Sequence, residues 1–142
     1  MITVKQVETD QDFKSCLKIR REVFFREQNV PEELEVDEYE KTSIHFLALF
    51  NNTPAGTGRL RIVKEKVKFE RISTLKEFRG QGIASKLMET MEAYAKKHYP
   101  TLPMTLDAQT LALEFYLKLG WTPVGECFYE ANIEHQRMTK SF

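Results

Sequence analysis

The stretch "LKEFRGQGIASKLMETMEAYAKKH", residues 75–98, places two glycines and an arginine directly before a long helical pattern. Apolar residues recur at helical spacing in its second half, at Ile83, Leu87, Met88, Met91 and Ala95. A run with this period predicts an amphipathic helix that buries one side. Because glycine ahead of a helix marks a tight turn, the stretch predicts a strand-to-helix junction.

The glycine loop itself, Arg79-Gly80-Gln81-Gly82-Ile83-Ala84, allows two interpretations. Backbone amides at a helix start are unpaired, and the dipole gives that end about half a positive charge, so the loop suits a pyrophosphate. An ordinary strand-to-helix turn explains the glycines equally well. A P-loop would require Gly-Lys-Ser/Thr where this chain has Gly-Ile-Ala, and a dinucleotide site would require a parallel βαβ unit. The loop alone therefore does not identify its ligand.

The flanking sequence predicts strands on both sides of this junction. Alternation and turn residues predict strands at residues 2–7, 43–50, 55–63, 67–75 and 104–108, with two further strands in 121–130 and 135–142. Helical spacing predicts a helix from Asp10, capped by Thr9 or Asp10, and another over 110–120 that ends at Gly120. The order predicts a mixed α/β (α+β) fold, with an antiparallel meander in the sheet and helices on both faces.

Length and composition predict one globular domain over residues 1–142, because a chain of 142 residues has room for a single core. Lys plus Arg and Asp plus Glu both number 21, so net charge favours neither nucleic acid nor an anionic membrane as a partner. No apolar run approaches the roughly 18 residues of a membrane span, and the N-terminus has no signal-peptide pattern. We therefore expect a cytoplasmic protein.

Metal binding is not predicted. The chain has two cysteines, Cys16 and Cys127, and three histidines, and their spacing matches no metal-ligand pattern. We expect no structural zinc site and no disulfide framework.

Two ordered motifs carry a resemblance to a known family. The segments "LKEFRGQGIASKLM" and "QTLALEFYLKLGWTPVG" resemble the GNAT superfamily of N-acetyltransferases. Its pyrophosphate loop, Arg/Gln-x-x-Gly-x-Gly/Ala, is matched by Arg79, Gly82 and Ala84. Its later Asn-x-x-Ala-x-x-Phe/Leu-Tyr-x-x-x-Gly-Phe/Trp pattern is matched, with Gln109 in place of the asparagine, by Ala112, Phe115, Tyr116, Gly120 and Trp121.

The resemblance extends to the ElaA-like bacterial branch of that family. The blocks "IRREVFFREQNVPEELEVDEYE" and "ANIEHQRM" are similar to its Arg-x-x-Val-Phe-x-x-Glu-Gln and Ile-x-His-x-x-Met patterns. Glu134 stands where that branch often has proline. Since the blocks lie toward opposite ends of the chain, the resemblance covers nearly its whole length.

The resemblance implies a mostly antiparallel sheet that opens between its fourth and fifth strands, with acetyl-CoA in the opening. Thr74 and Leu75 would pair with the pantetheine arm like an added strand. The other cofactor-binding residues it implies are Arg79, Gly80, Gln81, Gly82, Ile83, Ala84, Gln109 and Tyr116. The implied activity is direct, metal-free acetyl transfer to a primary amine of a small molecule or protein, by a monomer or homodimer. A non-catalytic acyl-CoA-binding sensor or adaptor is the alternative.

Tyr116 resembles the family tyrosine that donates a hydrogen bond or proton to the departing thiolate. The other interpretation of Tyr116 is core packing beside Phe115, since an aromatic at helical spacing often belongs to the core.

The acceptor amine requires a base, because a lysine-like amine is mostly protonated at pH 7 and its deprotonation costs roughly 4 to 5 kcal/mol. Glu70 is the first choice, since a carboxylate in the apolar strand "FERISTL" must be paired or used. A salt bridge to Arg61 explains Glu70 equally well. Glu27, His45 and His135 are weaker candidates, which we assign to the acceptor side.

The segment 27–39 contains many carboxylates and no lysine or arginine. A solvated acidic loop is one interpretation. The other is that the segment attracts a cationic acceptor, such as a polyamine, an aminoglycoside or a lysine side chain. Arg20 is a candidate to fix this loop through its carboxylates.

Overall fold

The computed structural model describes residues 1–31 and 36–142. Within these residues the strands are β1 (Ile2–Gln6), β2 (Ile44–Phe50), β3 (Thr53–Val63), β4 (Lys66–Thr74), β5 (Met104–Gln109), β6 (Thr122–Pro123), β7 (Phe128–Glu130) and β8 (Ile133–Lys140). The helices are α1 (Asp10–Arg20), α2 (Ile83–His98) and α3 (Leu113–Lys118). A π-helical stretch, Arg21–Glu27, continues α1, and 3₁₀ turns lie at Lys76–Phe78 and Thr110–Ala112.

Local sequence signals place the helix boundaries. Thr9 accepts a hydrogen bond from the Asp12 N–H at 3.1 Å and so caps α1, which is one of the two predicted caps. Gly82 precedes α2 with a φ of 89°, and Gly120 follows α3 with a φ of 92°. Both conformations are left-handed and favour glycine, so the sequence places these two junctions correctly.

The strands of the described residues form one mixed sheet in the order β1-β2-β3-β4-β5-β8-β6, with β7 paired to β8. Neighbouring strands are antiparallel except β4 and β5, which run parallel. β2, β3 and β4 form the predicted antiparallel meander. The mixed α/β fold predicted from the sequence is confirmed.

Helices cover both faces of the sheet. Leu87 of α2 and Tyr116 of α3 belong to the larger core cluster, which also contains Phe46 of β2. Ile19 of α1 belongs to a smaller cluster with Leu47, the next residue of β2. Because successive strand residues point to opposite faces, α1 lies on one side of the sheet and α2 and α3 on the other. None of the helices in the described part of the chain is long and apolar enough to cross a membrane.

The sheet opens between β4 and β5. In the described residues these strands pair only near their starts, Val67 with Met104, Lys68 with Thr105 and Phe69 with Leu106. β4 also carries a bulge, since its register with β3 shifts between Glu70 and Ser73 and Arg71 has a φ of 55°. A bulge bends its strand, which turns the end of β4 away from β5. The opening lies where the family resemblance implies it.

Some elements differ from the sequence prediction. The first helix is π-helical rather than α-helical beyond Arg20, and the Gln28 N–H donates to the Val23 carbonyl at 3.2 Å. The helix predicted over 110–120 begins with a 3₁₀ turn and is α-helical only over Leu113–Lys118. The strand predicted at 121–130 is divided into β6 and β7. The acidic segment 27–39, interpreted as a solvated loop, lies partly outside the described residues.

Candidate active site

The opening between β4 and β5 forms a cleft with a cavity volume of about 300 Å³. The diverging strand ends line it, and the π-helical stretch, α3 and the β7–β8 hairpin complete its walls. The residues that line it include Phe24, Gln28, Lys68, Glu70, Asp107, Gln109, Tyr116 and His135.

Strand alternation divides the cleft into two halves. Phe69 and Leu106 are buried in the larger core cluster with Tyr116, on the side of α2 and α3. Glu70 and Asp107 come next in the two strands and therefore face the opposite side, toward α1. The cleft thus joins an apolar half beside Tyr116 to a charged half beside Glu70.

Tyr116 is 8% exposed, and burial raises its pKa to about 12. Its ring packs edge-on against Phe115, with the ring centroids 5.0 Å apart. Tyr116 lines the cleft, and within residues 1–31 and 36–142 we find no hydrogen-bond partner for its hydroxyl. Tyr116 therefore packs in the core and also presents a neutral hydrogen-bond donor to the cleft.

Glu70 is held by basic side chains. Its Oε1 accepts hydrogen bonds from Arg61 at 2.7 Å and from Arg59 at 2.8 Å, and Lys68 lies 3.5 Å from its Oε2. Burial alone would raise the pKa of Glu70, but the hydrogen bonds and charges of these residues outweigh burial and lower it. The alternative salt bridge with Arg61 is therefore present, and it weakens Glu70 as a proton acceptor.

An ion-pair network ties the loop before β2 to the sheet. Arg59, only 1% exposed, donates to both Asp37 oxygens at 2.8 and 2.9 Å, while Arg20 donates to both Glu40 oxygens at 2.9 and 2.7 Å. Burial opposes ionisation of Asp37, but the hydrogen bond and charge of Arg59 lower its pKa to about 2. Arg20, the candidate to fix the acidic loop, is buried and bonds Glu40, the residue directly after the acidic segment 27–39.

The glycine loop has the conformation that close approach of a ligand would require. Gly80 and Gly82 have φ values of 78° and 89°, and no atom lies within 4 Å of a Cβ built on Gly80. Gly82 is the residue before α2, and no side chain caps that helix. The first amides of α2 are therefore available to an anion.

Arg79 connects this loop to the opposite wall of the opening. Its guanidinium donates to both carboxylate oxygens of Glu27 at 2.9 and 2.7 Å, and its Nε donates to the Thr74 carbonyl at 3.1 Å. The Leu75 N–H donates to Ala55, and the Leu75 carbonyl accepts from Phe78, both at 2.9 Å. Several groups predicted to contact the cofactor therefore already have partners, although a carbonyl oxygen retains a second lone pair.

The predicted site residues separate into those in the cleft and those outside it. Tyr116, Glu70, Gln109 and His135 line the cleft. His45 is buried instead, with its Nε2 2.7 Å from the Glu40 carbonyl, and burial lowers its pKa. The surroundings of His45 are those of a structural histidine, which is the more frequent role of a histidine in an apolar strand.

Sequence reasoning did not select Gln28, Lys68 and Asp107, which also line the cleft. Gln28 and Gln109 exchange amide hydrogen bonds at 2.9 and 3.3 Å, joining the end of the π-helical stretch to the end of β5. Asp107 is a charged residue in the mostly apolar stretch "MTLDA", the same signal that singled out Glu70, whereas Lys68 belongs to the charged residues that alternate along β4. Gln28 is the last residue of the ElaA-like Arg-x-x-Val-Phe-x-x-Glu-Gln pattern, and that match is the signal that could have selected it.

The described residues include no cluster of three or more His, Cys, Asp or Glu side chains placed to hold a metal ion. The cleft instead brings together a tyrosine hydroxyl, amides, an imidazole and paired charges. These groups suit proton transfer and hydrogen bonding.

A sheet that opens beside a tyrosine and a glycine-started helix defines the acyl-CoA N-acyltransferase class of fold, and comparison with known proteins agrees. The family pattern described as "Acetyltransferase (GNAT) domain" matches residues 4–142. This chain belongs to the GNAT family and is an acyltransferase, as the sequence resemblance indicates.

Relatives and solved structures support this assignment. YjcF of Bacillus subtilis, named as an uncharacterized N-acetyltransferase, is 37% identical over 92% of this chain and 94% of its own length. Escherichia coli ElaA is 24% identical and superposes with a TM-score of 0.88, covering 99% of this chain and 100% of that one. The PaiA N-acetyltransferase of Thermoplasma acidophilum, solved in complex with coenzyme A, is 16% identical with a TM-score of 0.74, covering 100% and 99%. The two structures share the fold of this chain.

Proposed function

We propose that this chain is an acetyl-CoA-dependent N-acetyltransferase that moves acetyl directly to a primary amine. The observation that carries the proposal is Tyr116, which lines the cleft beside the diverging strands and whose hydroxyl lacks a partner within the described residues. A hydroxyl that has no protein partner and lies beside a cleft is free to donate a hydrogen bond to a ligand. In an acyltransferase, the sulfur of the departing thiol is such a ligand.

The glycine loop supports binding of the acetyl-CoA pyrophosphate. In our proposal the backbone amides from Gly80 to Ala84 hold this group, because the start of α2 is uncapped and Gly80 has open space beside it. Thr74 and Leu75 pair with the pantetheine arm through the remaining lone pairs of their carbonyls. A coenzyme A complex is known for the Thermoplasma protein, which has the same fold.

Tyr116 donates a hydrogen bond to the departing sulfur rather than giving up its proton. Burial raises the pKa of Tyr116 to about 12, whereas a thiol titrates near 8.5, the usual value for cysteine. Full transfer of the tyrosine proton to the thiolate would therefore be uphill by about 5 kcal/mol. A hydrogen bond stabilises the developing negative charge without that transfer.

We assign the acceptor amine to the charged half of the cleft, where Glu70, Gln109 and His135 lie. Two described carboxylates of the acidic segment, Glu27 and Asp37, are paired with arginines. Attraction of a cationic acceptor by this segment therefore depends chiefly on the remaining glutamates, three of which lie within residues 32–35, outside the described residues. The predicted acceptor is a primary amine of a small molecule or of a protein.

Two measurements on the purified chain test this function. Isothermal titration with acetyl-CoA should give saturable binding, and thiol release from acetyl-CoA should rise when the correct amine is supplied from a panel of polyamines, aminoglycosides, amino acids and lysine peptides. Absence of acetyl-CoA binding by folded protein would exclude the proposed activity. Binding without thiol release for every amine would favour the sensor or adaptor alternative.

A further inference from the structure

We propose that His135 is the general base of the reaction and takes a proton from the acceptor amine through its Nε2 atom. This inference rests on the proposed function, since it assigns a further role within the same cleft. It gives His135 the role that the sequence assigns to Glu70.

His135 lies at the charged half of the cleft. In the pairing of β5 with β8, His135 stands opposite Gln109, and Arg137 stands opposite Asp107. Arg137 donates to Asp107 at 2.9 Å, which places both on one face of the sheet. Because strand residues two apart share a face, His135 lies on this same face, toward α1, and its side chain lines the cleft.

The contacts of His135 leave its Nε2 available as a proton acceptor. Its Nδ1 lies 2.7 Å from the carbonyl oxygen of Ile133. A carbonyl oxygen only accepts hydrogen bonds, so Nδ1 carries the proton and Nε2 of the neutral ring keeps its lone pair. We find no partner for Nε2 in the part of the chain that the structure describes.

A stacked aromatic ring fixes the plane of the imidazole. Phe128 of β7 stacks on His135 with ring centroids 5.8 Å apart and an interplanar angle of 18°. The carbonyl and the ring together hold the imidazole from two directions. Such a fixed orientation is what a general base requires, because proton transfer needs the acceptor nitrogen within hydrogen-bond reach of the amine.

The other titratable groups are less suited to this role. Glu70 is bonded to Arg59 and Arg61, whose hydrogen bonds and charges outweigh burial and lower its pKa, and Asp107 is bonded to Arg137. His45 is buried outside the cleft. In our proposal Glu70 holds the arginines and shapes the charged wall of the cleft.

The step starts from a neutral amine. The amine nitrogen forms a bond to the acetyl carbonyl carbon, and one N–H proton passes to Nε2 of His135. The carbon–sulfur bond breaks, and its electron pair leaves on the sulfur, which accepts the Tyr116 hydrogen bond. The imidazolium then loses its proton, by way of solvent, to the thiolate, so the products are the acetamide and coenzyme A thiol.

A matched set of variants tests this role. His135→Asn keeps an N–H donor in the position of Nδ1 and so preserves the bond to the Ile133 carbonyl, but it removes Nε2. His98→Asn is the control, because His98 lies on α2 beside Tyr94 with ring centroids 4.2 Å apart and does not line the cleft. A second variant, His135→Ala, opens space for added imidazole.

The pH profile of kcat provides a readout that a structural histidine would not change. Among the described residues, the charged and titratable groups that line the cleft with His135 are Glu130, Asp107, Lys68, Glu70, Arg71 and Tyr116, and Arg137 lies on the same face of β8. Carboxylates ordinarily titrate near pH 4 and the other side chains near or above pH 10. A change of kcat with pH between about pH 5 and 8, which we call the pH limb, therefore belongs to an imidazole.

We expect His135→Asn to lower kcat by about 100-fold, within the range usual for loss of a general base. The pH profile of kcat of this variant should no longer contain the limb between about pH 5 and 8. Acetyl-CoA affinity and the melting temperature should stay close to those of the natural protein, and imidazole should restore rate to His135→Ala.

If His135→Asn kept both the kcat of the natural protein and the limb in its pH profile, the role of His135 would be overturned, while the proposed function would stand. The role would also be overturned if His135→Asn lost kcat but kept the limb in its pH profile, and added imidazole restored no rate to His135→Ala. Absence of turnover in the natural protein would instead overturn the proposed function, and the role of His135 with it.

Discussion

Replacing Tyr116 with phenylalanine removes one oxygen atom and leaves the packing of the ring intact. The Tyr116 ring contacts Phe115 and belongs to the larger core cluster, and phenylalanine can keep both interactions. Within the described residues no hydrogen bond is lost with the hydroxyl. The free energy of unfolding should therefore change by less than about 1 kcal/mol, since the main costs of a core substitution, a cavity or an orphaned partner, do not arise.

The effect on catalysis should be much larger than the effect on stability. A hydrogen bond to a charged group is worth about 1.5 to 3 kcal/mol. If Tyr116 makes that bond only as negative charge develops on the sulfur, its loss lowers kcat by about 10- to 150-fold, at 1.36 kcal/mol for each factor of ten. The KM for acetyl-CoA should change little, because the bond is weaker in the ground state.

Steady-state thiol release, with the melting temperature measured in parallel, checks this expectation. Tyr94→Phe is the matched control, since Tyr94 lies on α2, packs edge-on against Phe46 and does not line the cleft. Tyr116→Phe with the kcat of the natural protein would refute the assigned role of the hydroxyl. An equal loss of kcat in Tyr94→Phe would attribute the effect to packing.

Three further predictions concern the parts that support the site. A Cβ on Gly56 would lie 2.8 Å from Ile83 at the start of α2, so Gly56→Ala should destabilise the chain by about 1 to 3 kcal/mol and weaken acetyl-CoA binding, as melting and titration would measure. The pKa of Asp37 is lowered from its ordinary 3.8 to about 2, so Asp37 stabilises the fold above about pH 4 and this contribution is lost as pH falls toward 2. Asp37→Asn should therefore unfold more easily in urea at pH 7 by about 1 kcal/mol, after allowance for solvent screening, with a smaller difference near pH 2. Glu27→Gln frees Arg79 from a competing carboxylate, and because exposed ion pairs are worth at most about 1 kcal/mol, acetyl-CoA should bind up to about fivefold more tightly in calorimetry.

Neighbouring residues provide controls for these variants. Glu38→Gln removes an exposed charge next to Asp37, and a loss of stability at pH 7 equal to that of Asp37→Asn would contradict the role of the Arg59 pair. Glu22→Gln removes a charge paired with Arg26 at 3.4 Å on the same π-helical stretch. Weaker acetyl-CoA binding by Glu27→Gln, or an equal gain in Glu22→Gln, would contradict competition at Arg79. An unchanged melting temperature for Gly56→Ala would show that α2 can move away from β3.

Local signals in the sequence were enough to predict most of the fold. The period of the apolar residues predicted α2, and Gly82 and Gly120 marked two helix junctions because their left-handed conformations favour glycine. The π-helical geometry of Arg21–Glu27 was not predicted, since its apolar spacing differs little from that of an α-helix over so few residues. The short β6 and β7 were not separated, because their boundaries depend on pairing with β8.

The sequence by itself determined the family and the residue types available for chemistry. The family resemblance of its two motifs singled out Tyr116 and the glycine loop. The tight turn and the helix start of that loop also depend on local backbone preferences. Only the tertiary structure decided how the charged residues are used. Glu70 is engaged by Arg59 and Arg61 and His45 is buried, whereas His135 lines the cleft with its Nδ1 bonded to a backbone carbonyl. These environments arise from contacts between residues distant in sequence, and a carboxylate or an imidazole has no fixed basicity until such neighbours are in place.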